Sequence, residues 1–150
     1  GESYFISAGT VHAIGAGCLI CEIQQNSNLT YRVYDYNRRG ADGKLRELHV
    51  DKAVNVINFK KYAPVTFESD SGKNGKTLAK CNYFNVSELK LDGKKEIFNP
   101  NSFTSITVVE GSGEISGEEF KKGDSFFIPC GVKAEISGKA SVVITDVPDA

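Results

Sequence analysis

The stretch Gly1-Glu-Ser-Tyr-Phe-Ile-Ser-Ala-Gly-Thr-Val-His12 opens the chain and decides its predicted fold. An extended run leads into a tight turn at residues 8–9, and the imidazole of His12 follows just past that turn. Residues 18–24 and 30–36 predict two further strands. We expect polar side chains from these neighbouring strands to converge on one cavity, as they do in small β-barrels.

Strand alternation identifies the polar side chains that would meet there. Glu22 and Gln24 share one face of the second predicted strand because side chains alternate with period two, and Arg32 lies on the third. Each also has an ordinary interpretation: His12 as a hydrogen-bonded structural residue, Glu22 as a solvent-side residue and Arg32 as a cross-strand charge. His49 precedes a predicted helix, and we interpret it as a structural or surface residue outside the site.

Composition narrows the classes of function. The chain has 150 residues, of which 40% are hydrophobic, enough for one large domain or two small ones with a real core. Eighteen Lys and Arg against nineteen Asp and Glu give a net charge of −1. This balance argues against a nucleic-acid surface or a polybasic membrane contact. The sequence also shows no long apolar run and no leader, so we expect a cytoplasmic location.

Two of the four cysteines form a C-x-x-C sequence, Cys18-Leu-Ile-Cys21. Positions three apart on a strand face opposite sides, so these thiols could not readily share a metal or a disulfide. A thioredoxin-type motif would need a helix N-terminus there, which nothing indicates. We interpret both as buried strand residues, with a redox or metal role as the less favoured alternative, and Cys81 and Cys130 as reduced thiols.

One short helix and one polar linker are predicted in the middle of the chain. Val50, Ala53, Val54 and Ile57 follow helical spacing, with an acidic residue in the first turn. A polar, glycine-containing stretch predicts a linker over 69–79 between domains at 1–68 and 80–150.

The linker also contains Gly75-Lys76-Thr77, which resembles the end of a phosphate-binding loop. The first glycine of that motif is replaced by Asp70, and no hydrophobic strand leads into it. We therefore interpret it as a solvated loop.

The second half is predicted to be entirely β. Short segments rich in β-branched and aromatic residues alternate with turn residues, which predicts a sandwich or barrel with little helix. The predicted strands are 82–86, 105–109, 123–128 and 140–145, the predicted turns lie near 91–94 and at 111–113, and a solvated hairpin is predicted at 118–122.

An internal repeat connects the two halves. Residues 1–14 align with 123–136 at a constant offset, with shared glycines and a shared aromatic-Phe-Ile segment. Such self-similarity predicts two copies of one β unit. His12 aligns with Ala134, so only the first copy retains a metal-type ligand at this position.

These motifs resemble those of a known family. The pattern Gly-x5-Pro-x-Gly-x2-His is the second cupin motif, and residues 1–12 match it except that Ser7 replaces the proline. The blocks Ala8-Gly-Thr-Val-His-Ala-Ile-Gly15, Glu22-Ile-Gln-Gln-Asn-Ser27, Thr30-Tyr-Arg-Val-Tyr-Asp-Tyr-Asn-Arg38 and Arg46-Glu-Leu-His49 resemble the bacterial type I mannose-6-phosphate isomerases. Lys122-Gly-Asp-Ser-Phe-Phe-Ile-Pro129 is similar to the C-terminal domain of that family.

The resemblance implies a fold and an activity. The implied fold is mainly β, a cupin-type jelly roll (double-stranded β-helix): a partial first barrel, a complete metal-free second cupin and one short helix. The family interconverts mannose 6-phosphate and fructose 6-phosphate through a cis-enediol. By resemblance, His12 is the final zinc ligand, Glu22 an active-site carboxylate and Arg32 the arginine used in catalysis. Zinc would act as a Lewis acid, and a guanidinium would stabilise negative charge without titrating.

The zinc site would be incomplete in this chain alone. The family's other ligands, a Gln, a His and a Glu, come from strands that precede the match to Gly1. The resemblance therefore implies the C-terminal half of an isomerase, with a phosphosugar as substrate and the N-terminal half as partner. An opening in mid-barrel, with Tyr4, Phe5 and Ile6 left exposed, favours a truncation. The alternative is a non-catalytic cupin module that binds a sugar or a partner chain, and the sequence upstream of Gly1 would discriminate between the two.

Overall fold

The computed structural model describes residues 1–67 and 75–148. The chain divides into two compact units. The C-terminal unit consists of Thr66–Ala150 together with Gly1 and Cys21–Gln25, and the N-terminal unit consists of Glu2–Ile20 and Asn26–Val65. A search of the described residues finds no helix with the length and apolar character needed to cross a membrane.

An antiparallel sheet of six strands forms the C-terminal unit. The strands are β1 (Lys76–Lys80), β2 (Asn85–Phe98), β3 (Thr104–Ile115), β4 (Glu118–Lys121), β5 (Ser125–Ile128) and β6 (Lys133–Asp146). Their order is β1-β2-β6-β3-β4, with β5 also paired to β3. The prediction of a mainly β protein with one short helix is confirmed.

The core of this sheet follows from strand alternation. In β3, Thr104, Ile106 and Val108 are buried while the residues between them are partly exposed. A bulge between Val108 and Glu110 adds one residue, so that the next buried apolar side chain of β3, Ile115, has an odd number. The cluster of buried side chains comprises Leu89, Leu91, Ile97, Ile106, Val108, Ile115, Phe120, Ile128, Ala134, Ile136, Ala140, Val142 and Ile144.

A row of three glycines crosses the middle of the long strands. Gly138 on β6 pairs with Gly93 on β2 and with Gly113 on β3. A Cβ atom added to Gly138 would lie 2.5 Å from the carbonyl oxygen of Ser112, so the neighbouring backbone occupies the space of a side chain. Gly113 and Gly138 permit close approach inside the strands, and Gly93 lies within β2 at a positive φ, so the predicted turns at 91–94 and 111–113 are wrong.

The turn that joins β3 to β4 begins three residues beyond the end of the predicted one. Ser116 and Gly117 have φ angles of 49° and 93° and form a two-residue hairpin loop. Positive φ at both positions is typical of the type I′ turn, whose twist matches that of the flanking strands. The hairpin predicted at 118–122 corresponds to β4, which is the second strand of this hairpin.

Strand β1 begins inside the predicted linker. Lys76 and Thr77 belong to β1, which pairs with β2, so the Gly-Lys-Thr sequence leads into a sheet strand. The predicted linker residues 69–74, including Asp70, lie outside the described part of the chain. The proposed domain boundaries at 68 and 80 stay a prediction.

Helix α1 (Val50–Val54) lies in the N-terminal unit, and the predicted helix is confirmed. The remainder of residues 1–67 forms turns and extended segments without a ladder, apart from one isolated bridge between Arg39 and Leu45. The strands predicted over 18–24 and 30–36 are therefore wrong for this chain. A strand needs a ladder of backbone hydrogen bonds with a neighbouring segment, and these segments form no such ladder among the described residues.

The same absence of strands corrects the interpretation of the cysteines. Cys18 and Cys21 are exposed and lie outside any strand, so the prediction that they are buried strand residues is wrong. A thiol is buried on a sheet only where a strand forms and another layer covers it. The four cysteines are free in the structure.

The two copies of the repeat share one turn. Gly9 and Gly131 have φ angles of 83° and 74°. In the first copy the amide of Thr10 donates to the carbonyl of Ser7 (3.1 Å), and in the second the amide of Val132 donates to the carbonyl of Pro129 (3.2 Å). Only the second copy is flanked by strands, β5 and β6, because both of these pair with β3.

Candidate functional site

His12 is exposed and has one hydrogen-bond partner. Its Nδ1 atom lies 2.9 Å from the carbonyl oxygen of Thr10. A carbonyl only accepts hydrogen bonds, so Nδ1 carries a proton, and in the neutral form of the ring Nε2 keeps a lone pair. Metal-bound histidines commonly donate their second nitrogen to a carbonyl in this way, and the role of His12 as a ligand stays a prediction.

The predicted site residues are divided between the two units of the chain. His12 and Arg32 belong to the N-terminal unit, and no hydrogen bond connects them in the described structure. Glu22 is exposed, lies outside any strand and belongs to the C-terminal unit. The strands at 18–24 and 30–36, from which these side chains were expected to converge, are absent from the described residues. The roles of His12, Glu22 and Arg32 stay predictions.

Arg32 is held through its backbone. Its amide donates to Nδ1 of His49 (3.2 Å), and its carbonyl accepts from the amide of His49 (2.7 Å). The side chain of His49 is only 17% exposed, so water competes weakly for these bonds. Our sequence interpretation left His49 outside the site, and only the contact between distant segments reveals its position.

A buried carboxylate lies three residues beyond Arg32. Asp35 is 7% exposed and accepts two hydrogen bonds from Arg38, one of them from Nε at 3.0 Å. Nε of Arg46 lies 3.4 Å from its other oxygen. The hydrogen bond from Arg38 lowers the pKa of Asp35, and the charges of Arg38, Arg46 and Arg32 act in the same direction against the effect of burial.

Asp35 is thus a fixed anion that organises an arginine cluster. Sequence reasoning did not identify this carboxylate. The available signal was the four arginines at positions 32, 38, 39 and 46 around an aspartate, Asp35, that stands between two tyrosines.

A complete metal site cannot be assembled from the described residues. Residues 1–67 and 75–148 contain no group of three or more His, Cys, Asp or Glu side chains placed to hold a metal ion. A catalytic zinc needs about three protein ligands and an open position. Zinc therefore does not fit a site made from these residues alone, although His12 fits as one ligand.

The C-terminal unit has a shallow groove of about 410 Å³ over the glycine row. Serine hydroxyls and the carboxylates of Glu114 and Glu119 line it, and such groups can bind sugar hydroxyls. The aromatic residue in the lining, Phe120, is 4% exposed and offers no free face for stacking. The groove therefore gives little support to the alternative of a non-catalytic sugar-binding module.

Comparison with known proteins gives consistent matches. Residues 74–147 match the family model "Mannose-6-phosphate isomerase, cupin domain". Mannose-6-phosphate isomerase ManA of Bacillus subtilis (strain 168) is 40% identical over 97% of this chain and 49% of its own length. The mannose-6-phosphate isomerase of Streptococcus mutans is 32% identical over 89% of this chain and 44% of its own length.

A solved structure agrees with these sequence matches. The crystal structure of the mannose 6-phosphate isomerase from Bacillus subtilis superposes with a TM-score of 0.68 at 36% identity. The match covers 81% of this chain and 41% of that one. The chain spans about half the length of the curated relatives it matches.

Proposed function

This chain belongs to the mannose-6-phosphate isomerase family of cupins, and we propose that it is the C-terminal half of a cytoplasmic, zinc-dependent isomerase. The complete enzyme interconverts mannose 6-phosphate and fructose 6-phosphate by moving a proton between adjacent carbons. In this proposal the N-terminal half supplies the remaining zinc ligands and the partner strands for the first barrel.

The observation that carries the proposal is the geometry of the second repeat copy. The repeat aligns His12 with Ala134, and the same offset, continued along the chain, aligns Glu22 with Ile144. Both counterparts lie on β6 and face the core, at 6% and 2% exposure. If the first copy pairs into a ladder as the second does, His12 and Glu22 face one barrel interior together.

Each residue then has a defined task. His12 contributes Nε2 as one ligand of the shared zinc, which supplies Lewis-acid polarisation of sugar oxygens when bound. The guanidinium of Arg32 stabilises negative charge on the sugar or its phosphate and stays protonated throughout. Glu22 provides a carboxylate on the same inner face for hydrogen bonding to the sugar. We assign the proton-transferring base to none of the three.

Complementation of the two halves tests this proposal. We expect this chain alone, with zinc added, to give no turnover of fructose 6-phosphate, and a mixture with the N-terminal half of Bacillus subtilis ManA to restore zinc binding and turnover. His12→Ala in the same mixture is the matched control and should weaken zinc binding. Turnover by the chain alone would contradict the half-site proposal. A stable complex that binds sugar without turnover would favour the non-catalytic alternative.

A further inference from the structure

We propose that His49 is a positioning residue that sets the backbone of Arg32 and thereby the placement of its guanidinium in the active site. This inference rests on the proposed function of Arg32 and adds a residue that acts only through it. His49 lies seventeen positions away in sequence and was not expected to contribute.

His49 is hydrogen-bonded to both the backbone amide and the backbone carbonyl of Arg32. The two residues exchange one bond through the imidazole (3.2 Å) and one through the backbone of His49 (2.7 Å). Two bonds to one partner restrict rotation of the Arg32 peptide units far more than one bond would. Because Arg32 lies in no strand, no sheet ladder substitutes for this pairing.

His49 is itself held in place by the helix that follows it. It immediately precedes α1, and its carbonyl accepts the amide of Ala53 (2.8 Å), the first bond of the helical turn. Ala53 is 2% exposed. The pairing therefore connects Arg32 to the start of α1, a five-residue helix in which Ala53 is buried, and sites fixed to regular elements are held more accurately than sites on free loops.

The side chain of Arg32 differs from those of Arg38 and Arg46 in its ion pairing. In the described structure its guanidinium forms no ion pair, whereas Arg38 and Arg46 are both occupied by Asp35. Arg32 is thus fixed at its backbone, and among the described residues its guanidinium acts on Asp35 through its charge without forming an ion pair. That combination suits an arginine that must meet a substrate anion without first breaking an ion pair.

The bond also defines the chemical state of His49. Nδ1 accepts from an amide, so it is unprotonated, and the neutral ring carries its proton on Nε2. Oε2 of Glu47 lies 3.7 Å from Nε2, and the ring of Tyr31 packs with centroids 6.1 Å apart. An asparagine at position 49 could place its Oδ1 near the Nδ1 position, whereas leucine offers no acceptor.

Three variants of this chain, each assembled with the N-terminal half, test the inference. We expect His49→Leu to lower kcat roughly tenfold, in the range found for residues that orient an active-site group. His49→Asn should recover most of that loss because it restores the acceptor. Arg32→Lys should lower turnover strongly, since an ammonium lacks the planar fork.

A readout on the isolated chain separates positioning from general stability. In 15N NMR spectra, His49 should show the Nε2–H tautomer, and the Arg32 amide should shift and exchange faster in His49→Leu but not in His49→Asn. Equal losses for the Leu and Asn variants, with matching losses of thermal stability, would mean a purely structural role and overturn the inference.

The proposed role of Arg32 and the inference about His49 would be contradicted by different results. Unchanged turnover in Arg32→Lys would remove Arg32 from the mechanism and overturn both the proposed role and the inference. Strong loss in Arg32→Lys with full activity in His49→Leu would overturn the inference alone.

Discussion

At the scale of single residues, the buried carboxylate of Asp35 decides how the polypeptide around Arg32 is arranged. An ionised carboxylate at 7% exposure is unfavourable unless it is paired, and here two arginines pair with it. Because the surrounding cations lower the pKa of Asp35, its ion pairs persist below the pH at which an exposed aspartate would protonate. The arginine cluster therefore stays intact at neutral pH.

This pKa shift predicts an acid-dependent stability. A lowered pKa in the folded state stabilises the fold fully above the ordinary value of about 4, and the contribution is lost as the pH falls through the lowered value. Asp35→Asn should destabilise the N-terminal unit at neutral pH and lose this pH dependence. Urea unfolding followed by tyrosine fluorescence at several pH values measures both effects, since most tyrosines lie in that unit. A constant gap between wild type and variant down to pH about 2 would contradict the assignment.

At the scale of elements, the glycine row determines how the long strands cross. The three glycines distinguish the effect of a positive φ angle from the effect of a close neighbouring backbone. Gly93 has a φ of 110° but open space around a Cβ, and Gly113 has a Cβ position only 2.0 Å from the carbonyl oxygen of Ser137. Gly138 combines both, with a φ of 134° and a contact of 2.5 Å.

Alanine substitutions along this row should therefore rank in a defined order. We expect Gly93→Ala to cost about 1 kcal/mol through backbone strain alone. Gly113→Ala should cost roughly 2 kcal/mol through overpacking, and Gly138→Ala should cost more than either. Chemical denaturation of the three variants measures the ranking. A Gly138→Ala variant as stable as Gly93→Ala would show that the strands can separate at little cost.

The shared turn of the repeat shows what a local sequence can specify. Gly9 and Gly131 adopt the same left-handed conformation, and each turn is closed by the same backbone hydrogen bond. The flanking segments differ because a ladder requires a neighbouring strand, which local sequence cannot provide. The two copies therefore differ in whether a neighbouring strand is available to pair with them.

At the scale of the whole molecule, the hydrophobic core cluster of the described residues lies in the C-terminal unit, whereas the N-terminal unit buries Ala53. The clustered core side chains all fall between Leu89 and Ile144. In the N-terminal unit, many large apolar side chains are more than 40% exposed, among them Val11, Leu29, Tyr34 and Phe59. So many exposed apolar side chains are typical of a surface that packs against another part of a protein.

This distribution predicts that residues 75–150 fold alone. The fragment retains all six strands and the whole core cluster, so it should unfold cooperatively and give a β-sheet circular dichroism spectrum. Its urea midpoint should be close to that of the last transition of the full chain. A broad, non-cooperative transition would show that Gly1 and Cys21–Gln25, which cluster with this unit, are needed for its stability.

The sequence by itself determined the features that depend on neighbours along the chain. Helix α1 followed from apolar spacing, the mainly β character from β-branched alternation, and the family from four motif blocks in order. The turn at Gly9 is predictable from local sequence through its positive φ, although a Cβ there would also lie 2.6 Å from the carbonyl oxygen of Val56.

Tertiary structure alone decided which segments become strands and which residues meet. The segments at 18–24 and 30–36 have strand-like sequences, but in the described residues they form no ladder with another segment. The glycines at 93 and 113 look like turn residues yet lie within strands: Gly93 has a positive φ inside β2, and a Cβ at Gly113 would meet the backbone of β6. His49 reaches Arg32 for the same reason: hydrogen bonds between distant segments depend on the folded path of the chain, which no local pattern encodes.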